Sequence, residues 1–372
     1  MKLGKVLIVG GGIAGMSAAI LLREQGTHVD LVEMDPEWRV YGAGITLSGP
    51  TLRAFQRVGV IDSIMAEGWC ADGLDILSVT GQPLGSIPTP RIGRPDVPGA
   101  GGILRPVLAR ILRERTLTAG VAVRCGTSFS ILDLAGPGAA VEFLDGRREH
   151  YDLVVGADGL HSKVRQTLFP GAPAPAYTGQ VSWRAVVPRP ESVARAFMMM
   201  GPGIKAGVNP ISRHEMYLFV TEASESADFL PEADLPTRLR EVLRPFGGVV
   251  GEIRDGLNEH SRIVYRPFFA MLAPAPWYRR SALIIGDAAH ATTPHLASGA
   301  GIGVEDAVVL AEEIQKASTL EGALQSFMSR RFARCKAVVE NSLRLGDLER
   351  SREEAAHGQL MRDSMQMLLA PV

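Results

Sequence analysis

The 372-residue sequence has only three cysteines, Cys70, Cys125 and Cys335, widely separated and with no Cys-x-x-Cys pair. That excludes a local dithiol redox centre, and three thiols cannot all pair with one another, which favours a reducing compartment. Charge of either sign is not in excess: 39 Lys plus Arg against 40 Asp plus Glu leave a formal net charge of −1. No broad basic field therefore exists to draw nucleic acid. No segment offers the roughly 20 unbroken apolar residues of a membrane span. Residues 6–22, apolar and preceded by Lys2 and Lys5, have the outline of a secretory signal, but glycines and a continuing regular pattern argue against one. Fixed-period repeats and low-complexity tracts are also absent. The expectation is a cytoplasmic protein of two domains, or one domain with a large insertion, whose partners are small molecules, with no nucleic acid and no membrane.

What is present begins at residue 5. Residues 5–9 (Lys-Val-Leu-Ile-Val) form an apolar run suited to a strand buried on both faces of a parallel sheet. Residues 13–25 follow as a helix ending at Gly26, and residues 28–33 complete a βαβ unit. Between strand and helix lies Gly10-Gly11-Gly12-Ile13-Ala14-Gly15. Gly10 permits the tight turn, Gly12 lets backbone approach a pyrophosphate, and Gly15 brings helix close to strand. The helix N-terminus then faces the phosphates. Glu33 stands about the expected distance downstream to accept hydrogen bonds from an adenosine ribose, where an acid disfavours a 2′-phosphate. A glycine-rich turn without a ligand is the alternative that the motif alone leaves open.

Further along, residues 51–58 read as a helix after the glycine-punctuated 41–45. Residues 74–80 and 84–87 read as short strands broken by Gly81 and Pro83, an excursion into another domain. Residues 104–118 return to helical spacing, with Leu108, Ile111 and Leu112 on one face. Strands are expected at 121–124, 140–144 and 153–155, and then, after a Pro/Ala/Gly-rich connector, at 181–187, 197–200, 204–208, 215–221 and 265–269. Residues 282–285 are a further buried strand, and the chain is expected to be helical from Gly303 to about Leu369. The fold class is α/β: a Rossmann-like domain with an inserted β-rich domain and a C-terminal helical segment. The expected boundaries are 1–73, 99–180 and 265–372 for the first domain and 74–98 and 181–264 for the second.

Two later turns share the strand-to-helix design. Gly156-Ala157-Asp158-Gly159 precedes a short helix with Ser162 as its N-cap and Arg165 inside. Gly286-Asp287-Ala288-Ala289-His290-Ala291-Thr292-Thr293-Pro294 follows the strand at 282–285 and leads to Gly299, Gly301 and Gly303. The Asp287 carboxylate could accept hydrogen bonds from a polyol chain, or simply cap its own turn. A helix starting near Gly303 would aim its positive dipole end at a negatively charged group, with Glu305 and Asp306 explained as acids in its first turn.

In the order and context of these three turns, over nearly its whole length, the chain resembles the class A flavoprotein aromatic hydroxylases related to p-hydroxybenzoate and salicylate hydroxylases. The resemblance implies FAD as cofactor, with its ADP part on Gly10, Gly12, Ile13, Ala14 and Gly15, its ribose on Glu33 beside Met34, and Gly44 near the flavin. It implies Arg105 on the FAD linker, Asp158 and Gly159 serving both FAD and the nicotinamide cofactor, and Asp287 on the ribityl chain. Gly299, Ala300 and Gly301 would lie near the flavin pyrimidine. The implied activity is an NAD(P)H- and FAD-dependent monooxygenase: reduced flavin and molecular oxygen form a C4a-hydroperoxide that hydroxylates a small phenolic or N-heteroaromatic substrate. Arg39 alone does not decide NADPH from NADH, and a homodimer is left open.

The substrate pocket should be apolar with few polar groups, because water must be excluded and a phenolate favoured. Residues 215–219 alternate, so Glu215, Tyr217 and Phe219 share one face. Tyr217 matches a strand tyrosine near the substrate in some relatives, and Pro294 a proline beside the reacting ring; both are the expected catalytic positions. Packing alone would also account for Tyr217, and loop shaping for Pro294. Arg184, His214 and 198–200 are secondary pocket positions, and His290 fits a structural turn better than a general base. Trp38, Trp69, Trp183 and Trp277 stand isolated, unlike the Trp-x-Trp-x-Ile-Pro signature of flavin halogenases. A non-hydroxylating FAD-binding protein, or another flavin oxidoreductase on the same fold, is the remaining alternative. No metal site is expected.

Overall fold

The computed structural model describes residues 1, 3–201 and 203–372. Strand Lys5–Val9 sits inside a six-stranded sheet ordered Tyr278–Arg279, Ala282–Ile284, Leu153–Gly156, Lys5–Val9, His28–Glu33, Ala122–Cys125. All neighbours are parallel except the Tyr278–Arg279 edge. Val6, Leu7 and Ile8 are fully buried, as a sheet covered on both faces requires. Helix Ile13–Glu24 packs against helices Arg105–Thr118 and Gly299–Lys316. The three strand-to-helix turns follow Lys5–Val9, Leu153–Gly156 and Ala282–Ile284, which are adjacent in this sheet and parallel. Their turns therefore emerge side by side at one sheet edge, where ligands of such folds bind.

A seven-stranded sheet runs Ile263–Leu272, Ala176–Pro188, Glu215–Ala223, Ile204–Pro210, Phe197–Met200, Leu74–Leu77, Pro83–Ile87. The early excursion thus pairs with a strand more than a hundred residues later, Leu74–Leu77 lying parallel to Phe197–Met200. One face buries Val181, Trp183, Ala206, Val208, Met216, Leu218 and Val220 with Leu239 and Val250. The last two come from helices Leu235–Val242 and Gly248–Gly256, which the residue pattern did not announce. The opposite face carries Arg184, Tyr217, Asn209 and Lys205, placed together by the pairs Arg184 with Phe219, Asn209 with Tyr217 and Lys205 with Thr221. Two small antiparallel sheets complete the β structure: Gly44–Ser48, Ala100–Leu104 and Trp69–Ala71, and Phe129–Asp133, Ala139–Phe143 and Arg148–Tyr151.

The C-terminal region differs from the expected continuous helix. It begins at Gly299, breaks at Ala317, resumes over Leu320–Ser351, turns at Arg352 in the left-handed region and ends with Glu354–Leu369. Gly303 lies inside the first of these helices for packing rather than initiation: a Cβ there would come 3.2 Å from the Ala14 Cβ. Among the described residues, no helix is long and apolar enough to cross a membrane.

Candidate functional site

The first turn has the geometry its glycines require. Gly10 has φ +109°, and a Cβ there would collide with the Ala157 carbonyl, while one at Gly15 would collide with the Gly10 carbonyl. Gly12 caps helix Ile13–Glu24 with extended backbone and no side-chain cap, and nothing lies within 4 Å of where its Cβ would be. Open space in front of uncapped helix N–H groups suits a pyrophosphate. Glu33 closes onto the turn, accepting from the N–H of Gly11 (2.8 Å) and of Asp35 (2.9 Å). Ile13 and Ala14 are half-buried in the first helical turn, and Met34 beyond Glu33 is exposed.

The second turn is largely self-satisfied. Asp158 accepts from the Ser162 hydroxyl (2.5 Å) and from the N–H groups of Lys163 (2.7 Å) and Val164 (3.0 Å), so its carboxylate caps helix Lys163–Leu168. Ser162 accepts in turn from the Arg165 N–H. Gly159 has φ +77° and open space around it. Buried Arg165 donates to the carbonyls of Leu160 (2.7 Å) and Ala288 (2.9 Å), tying this turn to the third.

In the third turn Asp287 opens helix Asp287–His290 and is exposed, although protein lies close around it. Burial pushes its pKa up, opposed by His290 and Arg105. Arg105, the first residue of its helix, donates its backbone N–H to Ala43, while its Nε is buried without a partner. An orphaned buried donor, and a carboxylate that it influences and that has no hydrogen-bond partner among the described residues, suit a polar ligand. Together with the open space at Gly12, this fits FAD.

Gly299, Ala300 and Gly301 open the helix that follows, and Ser298 offers no side-chain cap. A Cβ at Gly301 would strike the Thr51 hydroxyl, and one at Gly44 would strike the Tyr217 ring, so both glycines serve close packing of protein against protein. Glu305 and Asp306 depart from their expected place in the first turn of this helix, because it starts four residues earlier than Gly303. Both are buried. Asp306 accepts from the Gly286 N–H (2.9 Å), His290 Nε2 (2.6 Å) and Arg331 Nε (2.8 Å), and Glu305 pairs with Arg331 and Arg334. Burial would raise the Asp306 pKa, but His290 and Arg331 hold it down at about 2. Burial would likewise lower His290, but Asp306 holds it well above its ordinary value. His290 is thus a structural cation beneath the third turn. Cys335 completes a close trio with His290 and Asp306, and the Arg331 guanidinium donates to both Cys335 and Asp306.

On the substrate side, the buried Tyr217 hydroxyl is hydrogen-bonded to Thr46, whose oxygen also accepts from Asn209 Nδ2 (3.0 Å). Tyr217 thereby ties the seven-stranded sheet to Gly44–Ser48. Arg184 lies on the same face; burial and the Arg105 cation push its pKa down to about 10, with Tyr217 acting the other way. Among the described residues no carboxylate pairs with it. Pro294 begins a single 3₁₀ turn, Pro294–Leu296, and is followed by His295, which bonds Thr293 (2.8 Å) and faces the buried Glu349 (3.3 Å). Thr293, His295, Gln180 and Ser342 line a cavity of about 820 Å³. Arg184 was only a secondary position in the sequence, Arg165 was placed in its helix but not as a tie between turns, and Thr46 and Asn209 were missed. An arginine inside the apolar strand Ser-Trp-Arg-Ala-Val was the available signal for the first; the others have none.

The fold and this site define a flavoprotein monooxygenase of class A, and the chain belongs to the FAD binding domain family, which matches residues 4–342. It is similar to the aurachin C monooxygenase/isomerase of Stigmatella aurantiaca, 34% identical over 358 residues covering 94% of this chain and 90% of that protein. It is also similar to the 2-heptyl-3-hydroxy-4(1H)-quinolone synthase of Pseudomonas aeruginosa, 32% identical over 356 residues, 92% of this chain and 89% of that one. Its fold is that of Klebsiella pneumoniae HpxO complexed with FAD and uric acid, with a TM-score of 0.87 over 98% of this chain and 97% of that chain at 21% identity. The protein is an FAD-dependent monooxygenase of a family whose members act on aromatic and heteroaromatic compounds, with NAD(P)H as the typical reductant.

Proposed function

We propose that this enzyme hydroxylates a small aromatic ring, phenolic or N-heteroaromatic, using NAD(P)H and O2. The observation that carries the reading is Arg184: a half-buried guanidinium without a carboxylate partner among the described residues, on the polar face of the substrate sheet with Tyr217. A cation there stabilises the anionic form of a ring hydroxyl, which raises the electron density that electrophilic hydroxylation needs. N-heteroaromatic rings are favoured because the names of several relatives specify a 4(1H)-quinolone, a 6-hydroxynicotinate or urate.

When bound, FAD supplies the redox chemistry, taking a hydride from NAD(P)H and activating O2. The chain's part is to bind and orient. Gly12 and the helix behind it take the pyrophosphate, Arg105 Nε donates to the linker, and Asp287 accepts from the ribityl hydroxyls. Glu33 accepts from the ribose while keeping its bonds to the turn, and Gly299, Ala300 and Gly301 present backbone N–H groups to the pyrimidine edge. Tyr217, hydrogen-bonded to Thr46, keeps an oxygen lone pair to accept a hydrogen bond from a substrate ring hydroxyl and so position it, and Pro294 shapes the wall beside the ring. The two apolar clusters, one on each sheet, support a division into an FAD-binding part (1–73, 99–180, 265–372) and a substrate part (74–98, 181–264).

The test is to purify the yellow holoenzyme and screen phenolic and N-heteroaromatic acids, quinolones and purines for accelerated NAD(P)H oxidation, with product analysis. A compound that speeds oxidation and returns hydroxylated supports the reading. Stimulated oxidation yielding only peroxide across the panel, or none at all, overturns it.

A further inference from the structure

Trp38 is one of four non-glycine residues with positive φ among the described residues, at +51°, a conformation that bulky side chains rarely adopt. It persists because three hydrogen bonds fix it. Its N–H donates to the Asp35 carbonyl (3.1 Å), its carbonyl accepts from Arg113 Nη1 (3.0 Å), and its indole Nε1–H donates to the Gly11 carbonyl (2.8 Å). The indole lies flush on the glycine turn, so that a Cβ at position 11 would collide with its Nε1. This accounts for the middle glycine of Gly10-Gly11-Gly12, which the dinucleotide pattern itself does not demand. The Gly11 peptide is gripped from both ends, its N–H by Glu33 and its carbonyl by Trp38.

Packing alone would place an indole in an ordinary backbone conformation with any donor satisfied nearby. Here a disfavoured conformation is held so that an aromatic ring and its one donor meet the residue joining the pyrophosphate turn to the ribose carboxylate. We propose that Trp38 is a positioning residue for the adenosine half of FAD: it locks the Gly11 peptide and Glu33 in their binding arrangement, and its ring walls that end of the site. This goes beyond the hydroxylation reading and does not depend on the identity of the aromatic substrate.

The experiment uses the full-length protein stripped of flavin and titrated separately with FAD, ADP and FMN. In Trp38→Phe, which keeps a ring and removes the donor, the dissociation constants for FAD and ADP should rise several-fold, and in Trp38→Ala about tenfold or more, equivalent to about 1.4 kcal/mol. FMN, which lacks the adenosine half, should bind equally well to all three proteins. The emission lost on changing Trp38 to Phe should be the part of the wild-type fluorescence that ADP perturbs, a readout available even if Trp38→Ala does not fold. Unchanged ADP affinity in Trp38→Phe with an ADP-insensitive Trp38 emission would overturn the proposal. So would equal losses of FMN and ADP affinity, which would mark a general loss of structure.

Discussion

At the scale of single residues, the site is a set of groups left without partners. Among the described residues the Asp287 carboxylate has no hydrogen-bonding neighbour, Arg105 Nε is buried without a partner, and Arg184 has no acid. Removing such a group costs little folding stability and much ligand affinity, because the ligand is what satisfies it. Asp287→Ala should therefore weaken FAD binding at least about tenfold with its melting temperature in the absence of FAD hardly changed; undiminished affinity in a titration of the flavin-free protein would remove its role. Tyr217 is different, since its hydroxyl is engaged with Thr46. Tyr217→Phe should lower the hydroxylation rate about a hundredfold if its hydroxyl bonds the substrate ring hydroxyl and helps its deprotonation, at the lower end of acid–base contributions. It should also alter coupling and their pH dependence. If rate, coupling and pH profile all stay the same, the hydroxyl is merely a strut between two sheets. Gly10, Gly12 and Gly15 were legible as residues because each answers a local steric demand. The demands on Gly44 and Gly301 come from Tyr217 and Thr51, distant in sequence, so their glycines could be seen but not explained.

At the scale of elements, the three turns are built alike but stabilised differently. The second relies on Asp158, whose carboxylate satisfies one hydroxyl and two helix N–H groups. Asp158→Ala should destabilise the protein by about 1–2 kcal/mol, the cost of an N-cap, read as a lower urea midpoint. A change confined to nicotinamide reactivity, with the midpoint unmoved, would show that capping is not its main task. The third turn relies on Asp306 from helix Gly299–Lys316. The strands flanking these turns were readable, since an apolar run of three or four residues before a glycine has few other solutions. The start of the last helix segment was misplaced by four residues because Gly299, Gly301 and Gly303 look alike in sequence, and only the neighbours Thr51, Ala14 and Gly286 distinguish packing glycines from an initiating one. Helices Leu235–Val242 and Gly248–Gly256 went unread for a related reason: short amphipathic segments gain their stability from the sheet they cover.

At the scale of the whole molecule, two buried charge clusters join the pieces. Arg331 and Arg334 from helix Leu320–Ser351 pair with Glu305 and Asp306, and Asp306 reaches the third turn through Gly286 and His290. In the other, Glu349 meets Lys205 of the substrate sheet, His295 beside Pro294, and His357 of the last helix. Burial opposes the charge on Glu349, but Lys205 and the two histidines hold its pKa far below the ordinary carboxylate value. Arg331→Met should cost about 3–5 kcal/mol, since it removes the buried cation shared by two buried carboxylates and leaves Glu305 only Arg334 and Asp306 only His290 and the Gly286 N–H; a loss under about 1 kcal/mol by denaturation would show that the remaining partners suffice. The pH dependence follows from the same groups. The folded pKa values of Asp306 and Glu349 are depressed, so their contribution is complete above the unfolded value near 4 and is lost as pH falls through the folded value, about 2 for Asp306. His290 is raised, so its contribution is complete below about 6.5 and is lost only as pH rises through its elevated folded value. Stability should therefore fall steeply between pH 4 and 2 in wild type and less steeply in Asp306→Asn, measured by thermal unfolding across that range. Parallel curves would remove Asp306 from the acid transition.

The amino-acid sequence by itself determined the α/β class, the three turns, the strands that carry them and, through the family resemblance, the FAD chemistry, because each is set by residues within a few positions of one another. The tertiary structure decided which polar groups are left free to meet a ligand. Asp158 and Asp287 occupy the same kind of turn, yet one is consumed by its own helix and the other is exposed with its carboxylate free among the described residues. Arg331 is buried and paired with two acids, while the half-buried Arg184 has no acid among the described residues. Which group finds a partner depends on elements far apart in the chain arriving at the same place, and local spacing does not record that.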